Sequence, residues 1–412
     1  MSSLAALLAR NRNYRYTWAG QVVSEIGDYF NNVAVLALIM QQSGSGLVVS
    51  GFWLARAIPA VVAGPVAGVW LDRLDRRRVM IASDLVRAAI ALAFVLTIHR
   101  KSPWLLYALS AALMFASPFF TSGRSAILPA IAEADDLHTA NSLTQTTSWA
   151  TLSAGSLLGG ISAARFGYNA AFVLNSLSFI FSACCIWRIA AADGFRPRRA
   201  QSQARPGGGL REYLEGLAYL RSVPLLVGIG MISVGWALGG GAAQVLFALF
   251  GDQVFHRGPS GIGALSGFAG IGLLIGGALG HALGRRVSFA GYKRAVTVSY
   301  LFHGATYMLF SQVASYPAAL VCLMFSRVGM AATTVLNTSQ LLRRTPDEYR
   351  GRVFATMETI RWPVMVFSMA AAGIVSNFAG PRTIGLVAGA FGVLTACAWG
   401  WCDWTGRLPE PK

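Results

Sequence analysis

Gly68-Val69-Trp70-Leu71-Asp72-Arg73-Leu74-Asp75-Arg76-Arg77-Arg78 packs six charges into eleven positions and stands between two long apolar runs. That contrast decides the fold. Over 412 residues, 55% are hydrophobic and only 12% charged, and the charges gather in short joints like this one. A soluble chain of this size spreads charge over every surface element. Here the apolar runs between joints are about 20 residues long, the length a helix needs to cross a ~30 Å hydrocarbon layer. In lipid the backbone must satisfy its own hydrogen bonds, so each run is expected to be helical.

Outward from that joint the alternation repeats. Spans are predicted at 16–41, 47–71, 79–99, 104–131, 139–166 and 170–192, then at 224–250, 261–284, 293–313, 317–344, 352–378 and 382–404. Between the two sets, Asp193 to Arg221 is polar and basic and holds Pro197, Pro206 and Gly207-Gly208-Gly209. It reads as a linker with a short interfacial helix over Arg211 to Leu220. The expected fold class is an all-α membrane protein of about twelve transmembrane helices. Its domains are an N-terminal six-helix bundle at 1–192, a basic cytoplasmic linker at 193–221 and a C-terminal six-helix bundle at 222–412. A repeat supports two related halves: Asp135 aligns with Asp347, Gly68 with Gly280 and Arg73 with Arg285, all at an offset of 212. Halves related in this way are typical of secondary transporters, whose substrate site lies near the midplane.

The net charge of +17 first suggests nucleic acid. Its distribution says otherwise. If the N-terminus lies inside, basic residues collect in alternate joints, at 73–78, 196–221, 285–294 and 343–352. The remaining joints hold only Arg100, Lys101, Arg165, Arg257 and Arg382. This is the positive-inside pattern, with both termini cytoplasmic in the cell inner membrane and the surplus charge facing anionic lipid. No nucleic-acid partner is needed. The first apolar run has spanning length and no small-residue cleavage site, so it does not read as a removable signal. Cys184, Cys185, Cys322, Cys397 and Cys402 sit in or beside apolar runs, fit neither a metal site nor a disulfide framework, and are expected to be buried thiols. There is no Walker lysine loop and no H-E-x-x-H, which argues against an ATP-driven pump, a metalloprotease or a metal site.

The opening stretch resembles the loop motif of the major facilitator superfamily, G-x-x-x-D-[RK]-x-G-[RK]-[RK], with Gly68, Asp72, Arg73, Arg76 and Arg77 at the matching positions. Asp75 takes the place of the second glycine, where a left-handed turn is expected and Asp is tolerated better than most residues. Three further stretches resemble the bacterial efflux branch that includes macrolide and enterobactin exporters. These are Asn11 to Gln21 with Gly27-Asp28, Leu128-Pro129 through Ala140-Asn141, and Asp347 through Phe354. The resemblance implies the major facilitator fold, with two pseudo-symmetric bundles, and makes the loop a cytoplasmic gate. Asp72 would cap the helix starting near Gly351-Arg352, and Arg76 or Arg77 would pair with an acid such as Asp84 or Asp136. One departure is Gly155-Ser156-Leu-Leu-Gly159-Gly160, where antiporters of the superfamily often carry proline at the second position. The kink that proline imposes is not guaranteed here.

Charges inside a membrane cost some kcal/mol each and need a reason. The set is Glu25, Asp28, Arg56, Asp84, Arg87, Arg124, Arg327, Glu358 and Arg361. Glu25 and Asp28 stand at i and i+3, on one helix face. Glu25 lies ten residues past Arg15, about 15 Å up at ~1.5 Å per residue and so near the midplane. Two carboxylates this close titrate as a pair, which suits proton coupling; the alternative is permanent neutralisation by an arginine, with Arg56 at matching height. Arg124 would face an anionic substrate or an acid on span three, and the sequence leaves both open. Glu358 and Arg361, also i and i+3, are expected to form an intramembrane ion pair. Glycine-rich span eight suggests close packing with sliding, and Gly239-Gly240-Gly241 would interrupt span seven.

The reading is a secondary active transporter and not an enzyme: a monomeric, proton-coupled antiporter exporting an amphipathic small molecule, an antibiotic or siderophore, by alternating access. The proton gradient is its energy source, and no cofactor is expected. Rivals are an importer or lysolipid-type transporter of the same fold, a non-transporting membrane sensor, and a membrane enzyme.

Overall fold

The computed structural model describes residues 4–100, 102–131, 136–189 and 208–410. Its helices are α1 (Leu4–Arg10), α2 (Arg12–Ser43), α3 (Gly46–Arg73), α4 (Arg76–Ala93), α5 (Pro103–Ile131), α6 (Leu137–Trp187), α7 (Gly208–Ser222), α8 (Pro224–Leu249), α9 (Gly258–Gly284), α10 (Phe289–Gln312), α11 (Tyr316–Arg344), α12 (Asp347–Val375) and α13 (Pro381–Trp404). Among the described residues there is no β-strand. Nine helical stretches are long and apolar enough to cross a membrane by composition. One of these, α6, carries two crossings joined at Gly167, whose φ of 77° and ψ of 174° belong to backbone that only glycine adopts readily. Adding α10 and α12, which are long enough but more polar, gives twelve crossing-length segments among the described residues. The predicted span ends fall within a few residues of these helices, and α7 stands where the interfacial helix was expected. The linker residues 193–207 lie outside the described residues.

Two compact units result: Met1–Gln201 with Phe250–Gly267, and Ser202–Leu249 with Phe268–Lys412. In the first, α2 packs on α6, α3 on α5, and α4 on both α5 and α6. In the second, α8 packs on α12 and α13, α10 on α11 and α13, and α7 on α12. The pairings of α2 and α4 recur six spans later, as α8 with α12 and α13 and α10 with α11 and α13, the structural form of the 212-residue repeat. Large apolar side chains that remain exposed, among them Trp104, Phe378 and Trp404, suit a surface facing lipid and its interfaces.

Glycine sets the closest approaches. A β-carbon at Gly272, Gly276 or Gly280 would come within 2.2 Å of Met324 O, 2.3 Å of Val328 O or 2.9 Å of Ala332 Cα. The i, i+4, i+8 stripe on α9 therefore lies directly on the i, i+4, i+8 backbone of α11. The triplet Gly239-Gly240-Gly241 does not interrupt span seven: α8 runs helical through it, and Gly239 and Gly241 face Ala388 O and Met365 O at distances a side chain would close. The irregularity falls later, as a π-helical turn at Phe250–Val254. The cysteines are free, but only Cys185 is buried; Cys184 and Cys397 are exposed, as thiols on a lipid-facing surface tolerate.

Candidate functional site

A seam of polar bonds between α2 and the first half of α6 positions the central carboxylate. Asn11 caps α2, its side chain accepting from Tyr14 N at 2.9 Å. From there one face of α2 reads along α6: Tyr14 Oη donates to Ala140 O at 3.1 Å, Trp18 Nε1 to Thr147 Oγ1 at 2.9 Å, and Thr151 Oγ1 to Glu25 Oε2 at 2.7 Å. Positions 14, 18 and 25 repeat at helical spacing, so the face is continuous. Gly155 and Gly159 of α6 let α2 approach at Ile26 and Phe30, and a β-carbon at Gly27 would meet Ser178 Oγ at 2.1 Å. The stretch that resembles exporters is thus the strap that holds α2 in register.

Glu25 also accepts from Gln21 Nε2 at 2.8 Å and Ser148 Oγ at 3.2 Å, and Arg124 Nη1 stands 3.7 Å from its Oε1. The pair is not sealed: the side chains of Arg124 and Glu25 keep 16% and 24% of their exposure. Arg124 lines an open cavity of about 510 Å³ with Thr121, Ser122, Ser125 and Ala126. The acid facing Arg124 is therefore on span one, not span three. Gln21, Ser148 and Thr151 were not singled out from sequence, although Thr144, Thr147, Ser148 and Thr151 form a helically spaced polar stripe inside an apolar span.

Asp28, one turn on, forms no hydrogen bond or ion pair among the described residues, but lies in the electrostatic range of Arg87 and Arg56. Arg56 stacks over Phe52 and Trp53 at 5.2 and 5.7 Å and leaves its Nη1 without a partner. Beyond Asp28, Asn31 is fully buried with neither amide atom bonded. The expected Arg56 partnership is one of field, not of contact.

Asp84 does not belong to the cytoplasmic motif. It pairs with Arg87 on its own helix, both buried, while the guanidinium lies between the rings of Phe120 (4.6 Å) and Phe179 (4.3 Å). The i, i+3 spacing makes that the nearer partner. In the loop itself, Arg76 Nη1 donates to Ala126 O at 3.0 Å, and Arg77 Nε donates to Ile186 O at 3.2 Å, with Trp187 O also bonded. Arg77 thereby satisfies the terminal carbonyls of α6, where cations are favoured. Asp75 is not left-handed: at φ −60° it caps α4, accepting from Arg78 N at 3.1 Å. Asp72 and Arg73 are exposed, and Gly68 has open space beside it. Asp136 accepts from Arg10. In the second unit Glu358 and Arg361 form the expected ion pair, with Arg361 also over Trp236 at 5.2 Å.

An apolar groove of about 450 Å³ is lined by Trp70, Leu74, Val79, Val86, Phe115 and Phe119, with Asp75 and Arg78 of the loop also on its wall; neither Glu25 nor Asp28 lines it. Among the described residues no group of His, Cys, Asp and Glu is arranged to hold a metal.

The family model of the Major Facilitator Superfamily matches residues 17–366. The chain belongs to that superfamily. Its fold and family are those of multi-pass membrane transporters. Among relatives, the MFS-type transporter YfiS of Bacillus subtilis (strain 168) is 28% identical over 385 residues, covering 90% of this chain and 88% of the relative. Macrolide efflux protein A of Streptococcus pyogenes is 23% identical over 350 residues, covering 83% and 84%. Among solved structures, a bacterial homologue of the iron transporter ferroportin in an inward-facing state matches with a TM-score of 0.71 at 17% identity, over 97% of this chain and 99% of that one. That last likeness shows the fold.

Proposed function

We propose that this chain is a proton-coupled antiporter exporting an amphipathic small molecule, such as an antibiotic or siderophore, from the cell inner membrane by alternating access. The observation that carries the reading is the contrast between two neighbouring acids. Glu25 is held by four partners beside an open cavity, whereas Asp28 has no bonded partner among the described residues and feels only the fields of Arg87 and Arg56 and of the acids Glu25 and Asp84. Protonating Asp28 removes the charge that Arg56 faces, so one proton changes the balance of the whole cluster. The efflux relative supports export, and the positive-inside asymmetry supports cytoplasmic termini. Asp28→Asn and Glu25→Gln are each expected to abolish uncoupler-sensitive efflux from vesicles while leaving expression intact; transport at the wild-type rate in both ends the proposal.

The loop from Gly68 to Arg78 serves as the cytoplasmic gate in this reading. Its exposed Asp72 has no role in setting topology, which basic residues alone perform. Asp72→Asn is expected to change the labelling pattern of cysteines introduced on the cytoplasmic side. A pattern identical to the parent protein argues that the loop only anchors the helices.

A further inference from the structure

We propose that Arg327, with the hydroxyls of Tyr300 and Tyr307, forms a site in the second unit for an oxyanion carried by the transported molecule, a carboxylate or a phosphate. The proposal rests on the reading of the chain as an exporter of an amphipathic solute and names the charge that solute bears.

Arg327 lies eleven residues into α11, about 16 Å along the helix at ~1.5 Å per residue and hence deep in the span. It is 6% exposed. Among the described residues it forms no ion pair, unlike Arg87, Arg124 and Arg361, each of which has a carboxylate. Its guanidinium meets the rings of Phe247 and Tyr307, both at 5.5 Å, and Met330 Sδ at 3.5 Å. Tyr300 and Tyr307 are 1% and 3% exposed, both interact electrostatically with Arg327, and neither hydroxyl has a partner. His303, whose ring centroid is 5.3 Å from that of Tyr300 and 6.4 Å from that of Tyr307, does not supply one. Its Nδ1 is engaged by Ser326 Oγ at 2.7 Å and Ser326 O at 2.9 Å.

A buried charge without a counter-ion and buried hydroxyls without acceptors are each costly. Here three such donor groups share one cluster. One ligand chemistry relieves all of them: an oxyanion, with enough lone pairs for a guanidinium fork and two phenols. A cation would be repelled, and a neutral amide offers one carbonyl for three donors. The ring walls suit an apolar body beside the anionic head. A lipid headgroup belongs at the interface, not at this depth.

The test is calorimetric binding to the purified full-length protein in detergent, without a gradient. The probes are 2-naphthoate against 2-naphthamide, and dodecanoate and dodecyl phosphate against dodecanol. The wild type should bind at least one anion about tenfold more tightly than its neutral twin, or ~1.4 kcal/mol. Arg327→Gln should erase that preference, Arg327→Lys should retain most of it, and Tyr300→Phe and Tyr307→Phe should each reduce it with thermal stability unchanged. No anion preference in the wild type, or an undiminished one in Arg327→Gln, overturns the site; if Arg327→Gln does not fold, an undiminished preference in both tyrosine variants does so instead. Asp28→Asn separates the two readings. If it and Glu25→Gln both still drive efflux at the wild-type rate, proton coupling fails while the anion preference stands; if only the preference is absent, the anion site fails and coupling stands.

Discussion

Single side chains show how this chain carries charge through a membrane. Asp84 and Arg87 neutralise each other inside α4, and two aromatic faces cover the guanidinium. Replacing Asp84 by Asn leaves the arginine buried without its counter-charge, a change that costs about 3–5 kcal/mol in buried pairs. Thermal unfolding of the purified variant should show a clear drop in midpoint, part of it recovered by adding Arg87→Gln. A midpoint equal to the wild type would mean that the rings alone carry the arginine. Which charges lie in the membrane was legible in the sequence, because a cost of that size singles out every embedded acid and base. Who pairs with whom was legible only at i, i+3, as with Glu358 and Arg361. Glu25 and Arg124 are 99 positions apart. No local spacing could join them, and the Ser148 and Thr151 hydroxyls that complete the site look like ordinary helix polarity until α2 is seen against α6.

At the scale of helices, the sequence was most readable where composition is extreme. Apolar runs gave every span to within a few residues, and the basic joints marked their ends. It was least readable where glycine was concerned, since one residue type marks both breaks and close contacts. Gly239-Gly240-Gly241 looked like an interruption and is a contact surface. The stripe Gly272-Gly276-Gly280 is a second, against the backbone of α11. Such an interface is held by backbone dispersion, without side chains wedged between the helices. Gly276→Leu should therefore destabilise the second unit by about 1–3 kcal/mol, the usual range for overpacking. The same change at Gly68, which faces open space, should leave the unfolding midpoint unchanged. Equal effects at both positions would show that the stripe is not a tight contact.

Over the whole chain, the 212-residue repeat and the alternation of basic joints specify an arrangement that labelling can check. Arg165, exposed at the tip between the two crossings of α6, should be reachable as Arg165→Cys by a membrane-impermeant maleimide added outside intact cells. Arg286→Cys, between α9 and α10, should react only after the cells are opened. The reverse pattern would invert the topology.

Gly167 has a practical consequence for such work. Because two crossings turn back at one glycine, the hairpin has no slack in which a foreign sequence could sit. An epitope tag or protease site inserted there would have to unravel one helix end or the other, and with α6 it would loosen the strap that seats Glu25. Single-residue probes suit that corner; longer handles belong at the chain ends.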